Sequence, residues 1–533
     1  MAINTIAKTS HLTRFIMRLD RIRIPLWLIG LTVFTLIVPI AYDDLYGGPE
    51  SARAGLVETM ANPAMIAMSG PADFDNYTIG VMTAHAMILI TAVIVGIMSI
   101  LLVTRHTRAD EEDGRIELIR SLPVGRLSYL NASIIVLFGT SIVLALLIGF
   151  GLYALGIESM DLNGSLLYGA ALGATSLFFA GVTTVFAQLS DTSRGTIGFS
   201  IFVLLGAYLF RAITDVSNEA LSWISPLGWV SKADVYSSNN WWPILLMVGV
   251  SILLFVIANY LHSIRDLERG FLPSKPGRRF ATPFLQSPLG LALRLQRTGI
   301  ISWAVGMYVL GATYGSVLGD LESFIGDNEV FQQVLKGAEG TSLIEQFLPM
   351  LLIVITLISS IPPIMAMNKL RGEEKKGRID HFLGKAVSRS KLMGSYLVLS
   401  VVNGFVMFSL AAFGLWSVGT SVMDEGLSLT MIYGSTMAYY PALLVMIGIS
   451  ILLIGFLPKF TTFIWGYFLY SFLVLYLGGL FDLSEWIGKL TPYGHVPQAP
   501  IEDVTFMPMF TLTLLAILFM AIGIAGYNRR DIE

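Results

Sequence analysis

Cysteine is missing altogether from the 533 residues, which excludes disulfides, thiol nucleophiles and thiolate metal sites. Charge is scarce as well: Asp, Glu, Lys and Arg make up 13% of the chain, about half of what soluble domains carry. No Gly-x-x-x-x-Gly-Lys-Ser/Thr phosphate loop occurs, since Gly384-Lys385 and Gly488-Lys489 run on into Ala386 and Leu490. A nucleotide-hydrolysing engine is therefore not expected in this chain. Titratable groups at membrane depth, which ion-coupled carriers use, are nearly absent too. His85 is the one ionisable residue well inside an apolar run, while Arg211 and Asp215 fall near a run's end. With no acid on neighbouring runs, His85 reads as an uncharged packing residue.

What the chain has is hydrophobic length. Apolar residues make up 54% and mean hydropathy is +0.71, so the class is an all-α polytopic membrane protein. Twelve runs reach the roughly 20 residues needed to cross a bilayer. They are 24–42, 78–103, 127–156, 164–188, 196–214 and 241–261, then 298–318, 346–367, 392–418, 427–456, 460–480 and 507–527. Ala52-Arg53-Ala54 has the look of a signal-peptidase site, but it lies far beyond a first run too long for a signal, so that run is expected to stay. The net charge of -3 hides an asymmetry. With the N-terminus inside, 29 of the 34 Lys and Arg fall on the inner side. That bias places both termini in the cytoplasm.

The chain also repeats itself. Arg108-Ala-Asp-Glu-Glu-Asp-Gly-Arg-Ile-Glu117 returns 263 residues later as Arg371-Gly-Glu-Glu-Lys-Lys-Gly-Arg-Ile-Asp380, each copy directly after a long apolar run. Arg18-Leu19-x-Arg21 is echoed by Arg294-Leu295-x-Arg297, Ser225-Pro226-Leu227-Gly228 by Thr491-Pro492-Tyr493-Gly494, and Arg265-Asp266 by Arg530-Asp531. Landmarks in one order imply two six-helix halves, 1–266 and 291–533, joined by a cytoplasmic Pro/Gly/Arg-rich linker, 267–290. Six is even, so the halves form a parallel pseudo-repeat.

The repeated loop predicts a small amphipathic helix over 108–122 and again over 371–385. Glu111 to Arg115 and Glu374 to Arg378 have the favourable i,i+4 spacing. Ile116 with Ile119, and Ile379 with Phe382, add an apolar edge. A helix of this kind could lie among lipid headgroups, but its recurrence in both halves favours a pair of sites for a soluble partner. The basic segments 11–23 and 291–297 are expected to rest along the inner leaflet.

With these features the chain resembles the type-2 ABC exporter permeases, in particular the fused two-half exporters of polyketide antibiotics. The resemblance spans essentially the whole chain and is most specific at Glu111, Gly114 and Arg115 and at Glu374, Gly377 and Arg378. It implies a bacterial plasma-membrane permease, not an enzyme by itself, on which two copies of a cytoplasmic ABC ATP-binding subunit dock. ATP and Mg would be bound by that partner, and no cofactor by this chain. Short coupling helices would carry the docking, with Glu111, Arg115, Glu374 and Arg378 holding register and Ile116 and Phe382 burying against the ATPase. Outer re-entrant or interfacial helices carrying Trp223, Pro226, Trp229, Trp486, Pro492 and His495 would form an outer gate, equally readable as an interfacial tryptophan belt. Phe, Met, Tyr and Gly faces on the spans suit a hydrophobic or amphipathic cargo such as an antibiotic, ionophore, drug or lipid; nothing suggests nucleic acid. Glu112-Asp113 becoming Lys375-Lys376, and Pro123 becoming Ala386, argue that the two docks differ. Alternatives are a major-facilitator carrier, disfavoured by the long loops after spans two and eight, and an ABC-type immunity or sensor protein. A glycosyltransferase using Asp43 and Asp44 has no second acid pair to support it.

Overall fold

The computed structural model describes residues 5–47, 57, 60, 63–266, 269–272, 279–318, 343–384, 387–423, 426–477, 484–499, 501–502 and 505–531. Among them there is no strand, and a single isolated bridge joins Ser190 to Leu272. Among the described residues ten helices are long and apolar enough to cross a membrane, which makes this a multi-pass membrane protein. The expected seventh run lies within the helix Pro288–Val317, and the eleventh is the shorter apolar helix Phe463–Leu477, with 478–480 outside the described residues. Contacts divide the chain into two compact units, Met1–Gly277 and Arg278–Glu533.

In the first unit α1 (Thr9–Leu19) is amphipathic and buries Leu12 and Ile16. It stops at Asp20, and α2 (Arg23–Tyr46) begins the first long apolar helix. The interior is formed by α3 (Ile79–Thr104) and α6 (Leu162–Leu189), most of whose residues are buried. Ser176 on α6 bonds Ser99 of α3 at 2.9 Å and Ser141 of α5 (Ser128–Ala154) at 2.7 Å, so one hydroxyl cluster ties three helices. Around them α2, α7 (Ser193–Ser217) and α9 (Trp242–Ile264) leave large apolar side chains exposed, among them Leu26, Phe202 and Val256, as lipid contact requires.

The second unit opens differently. Where the first splits into α1 and α2, α10 (Pro288–Val317) runs unbroken for 30 residues, so the segment 291–297 is one end of a long helix and not a separate surface helix. It packs on the helix Arg389–Val422 through small residues, with Gly311 against Ala411 and Gly414 against Tyr308, close enough for backbone contact. α11 (Leu343–Lys375) carries Pro362 and Pro363, and the Pro363 carbonyl accepts from Ser400 Oγ at 2.6 Å. The expected tenth run is one long apolar stretch, Leu429–Phe456, that breaks at Tyr439 into Leu429–Ala438 and Tyr440–Phe456, with Pro441 at the start of the second. α12 (Phe506–Arg529) closes the unit and is packed against Tyr440–Phe456.

Candidate functional site

The repeated charged loop folds into an elbow in each unit. In the first, α3 passes through a π-type turn at Arg105–Ala109, where His106 leaves helical angles, and a single turn at Asp110–Glu112 follows. Gly114 then takes φ +72°, and a short helix, Arg115–Arg120, sets off in a new direction. In the second, α11 runs straight to Lys375, Gly377 takes φ +64°, and Asp380–Leu383 is helical. A left-handed residue ends a helix by letting its N–H reach back, and glycine adopts it without a Cβ penalty. Here Gly114 N–H reaches Glu111 O at 3.1 Å and Gly377 N–H reaches Glu374 O at 2.9 Å.

This break corrects the expected continuous helices over 108–122 and 371–385, and with them the expected ion pairs. Spacing of i,i+4 has no meaning across a left-handed residue. Arg115 instead reaches Asp110 at 2.5 Å and Asp113 at 3.2 Å, and Arg378 reaches Glu373 at 3.1 Å. The hydrogen bond to Asp110, ahead of the opposing effect of burial, raises the Arg115 guanidinium above its usual range.

Glu111 and Glu374 turn inward. Glu111 is 7% exposed and receives Arg108 Nη1 at 3.0 Å and Arg265 Nη2 at 2.9 Å. Glu374, 4% exposed, receives Arg371 Nη1 at 3.1 Å and is also paired with Arg530 Nη2. Arg265 and Arg530 are the residues that cap the C-termini of α9 and α12, with backbone angles alike to within two degrees. Their carbonyls are held as well: Arg126 Nη2 donates to Arg265 O at 2.6 Å, and Arg389 Nη1 donates to Arg530 O at 2.6 Å. One clasp of arginine, glutamate and arginine thus occurs in each unit, on residues 263 to 265 positions apart.

In the first unit α1 joins this assembly. Asp20 pairs with His106 and with Arg105 Nε at 3.4 Å, and His106 Nδ1 faces Asp110 Oδ2 at 3.4 Å. Tyr129 donates to the same Asp110 carboxylate at 2.5 Å. Ile116 is buried within the unit, in a cluster with Leu12, Ile16, Tyr129 and Val136, so it backs the elbow and does not project from it. Ile379 is buried likewise; the Phe382 side chain lies outside what the structure describes. What projects from the first elbow is Asp113, Arg115, Glu117, Ser121 and two apolar residues, Leu118 at 73% exposure and Leu122. From the second project Lys375, Lys376, Arg378, Asp380 and His381. Glu112 is exposed but occupied, accepting from Ser193 N–H at 2.9 Å and from Ser193 Oγ at 2.6 Å at the start of α7.

The segments expected on the outer side are short helices in both units. Pro226 opens Pro226–Ser231 and Pro492 opens Pro492–His495. Gly228 and Gly494 lie so close to the carbonyls of Ser222 and Gly488 that a Cβ would overlap them. Trp229 is half-buried, with Nε1 donating to Trp223 O at 2.6 Å and its ring edge-on to Phe178, while Trp223, Trp486 and His495 are exposed. The buried pins are Leu227 and Tyr493, the latter donating to Ser360 Oγ at 2.7 Å. Arg211 is fully buried, bonded to Asp215 at 2.9 Å and to Met68 O at 3.1 Å. His85 Nε2 donates to Gly70 O, so its Nδ1 accepts from Tyr77; both partners, at 2.8 Å, are neutral.

Residue reasoning missed Arg265 and Arg530. The signal was present, because Arg265-Asp266 and Arg530-Asp531 stood out as repeated charges with no assigned partner. The family model of the multidrug efflux system permease Rv1217c, C-terminal domain, matches residues 10–261 and 285–528. The chain belongs to this family. A relative within reach of direct comparison is the multidrug efflux system permease protein Rv1217c of Mycobacterium tuberculosis, 34% identical over 531 residues, covering 98% of this chain and 95% of the relative. The two clasped elbows are therefore features of a chain of the efflux-permease family.

Proposed function

We propose that this chain is the membrane-spanning subunit of an ATP-driven exporter that moves hydrophobic or amphipathic compounds out of a bacterial cell. Two copies of a separate ATP-binding subunit dock on the elbows, and those copies hold ATP and Mg. Twelve spans in two parallel six-helix halves, with both termini in the cytoplasm, put both elbows on the side where such a subunit resides. The family model matching one long segment in each half supports the pseudo-repeat, and the printed name of the mycobacterial relative supports the efflux role.

The observation that carries this reading is the elbow itself: a short outward-facing helix backed by a buried ionic clasp, built twice from equivalent residues. An ordinary loop does not bury three charges to hold its angle. The docking face is redrawn from the structure. Arg115, Leu118 and Leu122 reach outward in the first elbow and Lys375, Lys376 and Arg378 in the second, while Glu111, Glu374 and Ile116 set the angle from within. The segments carrying Trp223, Pro226, Trp229, Trp486, Pro492 and His495 are proposed to form the outer gate, a reading to which the exposure of Trp223 and Trp486 lends support.

The test is co-purification of the tagged chain with the soluble products of its neighbouring genes, among which a stoichiometric ATPase is expected. Leu118→Glu with Leu122→Glu should lower the ATPase-to-permease ratio, since docking would then have to bury two unpaired carboxylates, while the permease remains monodisperse. A wild-type chain that binds no ATPase and transports on a proton gradient alone would sink the proposal.

A further inference from the structure

We propose that Arg265 and Arg530 are positioning residues which make each elbow and the last long helix of its own unit move as one body, so that a push on the elbow reaches that helix. This rests on the exporter reading above, in which the push comes from a docked ATPase.

Each arginine ties the elbow to the helix after it at two points, besides a further guanidinium bond to Arg269 O at 2.9 Å in the first unit and to Ile454 O at 3.0 Å in the second. Its guanidinium holds the inward carboxylate, Glu111 in the first unit and Glu374 in the second. Its own carbonyl, one of those a helix end leaves without an intrahelical partner, is held by Arg126 or Arg389, which sit at or just before the start of the helix that follows the elbow. A single ion pair is a swivel; two attachments on opposite ends of one residue resist rotation as well as separation. The elbow, the helix after it and the end of the last helix are thus joined around one residue in each unit.

The surroundings of the clasp differ between the units, while the clasp is the same. His106 against Asp110 becomes Lys369 against Glu373, and Leu392 stands where Tyr129 would. Asp20, which ties α1 to the first elbow, has Gln296 at its counterpart. The arginine, glutamate and arginine stay. Burying such a set is a poor way to gain stability, since apolar residues of like volume do as well or better. What it supplies is a fixed direction.

The experiment uses the permease with its ATPase in proteoliposomes, with ethidium as the transported probe. Glu111→Gln with Arg265→Gln, and Glu374→Gln with Arg530→Gln, each remove one charge of either sign and leave the cluster's net charge unchanged. The expected result is wild-type ATPase stoichiometry, ATP hydrolysis within about twofold, and ethidium moved per ATP lowered about tenfold, a usual size for a coupling between sites. Arg265→Lys, which keeps the charge but not the fork, should fall between. Unchanged ethidium per ATP, or a loss no larger than the loss of bound ATPase, overturns the proposal. If the wild-type chain binds no ATPase the exporter reading fails instead, and the clasp is judged on hydrogen exchange of the chain alone. There the double variants should speed exchange in 110–122 or 373–384 about tenfold while the middle of α9 or α12 holds; equal protection overturns it.

Discussion

Glu111 sits 7% exposed between two guanidiniums, so removing its charge strands both. Glu111→Gln alone should cost roughly 3–5 kcal/mol, as breaking a buried pair does, and would be read as a lowered midpoint of thermal unfolding in detergent. Arg115→Ala, at a side chain half in solvent, should cost less than about 1 kcal/mol by the same measurement. The contrast reverses what helical spacing predicts, which treats the two residues as equal partners. Spacing rules see neighbours within a turn, as Arg108 is, but not the acid's second partner, 154 positions away. The glycines carry their own prediction: at Gly114 and Gly377 a Cβ meets nothing within 4 Å, so only backbone strain opposes it. Ala at either position should then cost about 1–2 kcal/mol, the usual penalty for a left-handed non-glycine residue, and Asn distinctly less.

Among the elements, the N-terminal helix shows what a sequence conceals. Its basic, amphipathic pattern suited a helix resting on lipid, and the same pattern was read at 291–297, yet the first is a separate helix and the second is the start of a 30-residue rod. Side-chain partners decide between these outcomes. Asp20 ends α1 because Arg105 and His106 lie beside it, whereas Gln296 brings no charge to draw the chain aside. The apolar runs were legible because length and hydropathy alone define them, and ten of them appear as long helices. Replacing the fully buried Ile16 by Asp should free α1 from the elbow. Hydrogen exchange across 9–19 would then rise well above wild type while α3 stays protected, and unchanged exchange would mean α1 is held from elsewhere.

At the level of the whole molecule the repeat is what the sequence displayed most openly, and its sites most dimly. Motifs separated by 263 residues marked both elbows, but which side chains face outward depended on a left-handed turn that no periodicity reports. The outward charges then divide sharply. Asp113 and Glu117 stand with Arg115 on one elbow, with Glu112 beside them held by Ser193; Lys375, Lys376 and Arg378 stand with Asp380 at the matching positions of the other. On the proposed function, raising salt from 0.05 to about 0.5 M, where screening shortens from above 10 Å to a few ångströms, should release the ATPase copies at two distinct concentrations in native mass spectrometry. Simultaneous release would count against unequal docks. Lys375→Glu with Lys376→Asp should bring the two releases together. On the proposed function, one ATPase sequence serving both elbows would meet acids at 112 and 113 and lysines at 375 and 376, so those two positions cannot be what both contacts have in common. What the elbows share is a glycine turn with a buried arginine–glutamate–arginine clasp behind it, so the common part of such a contact would be a surface held in place from within.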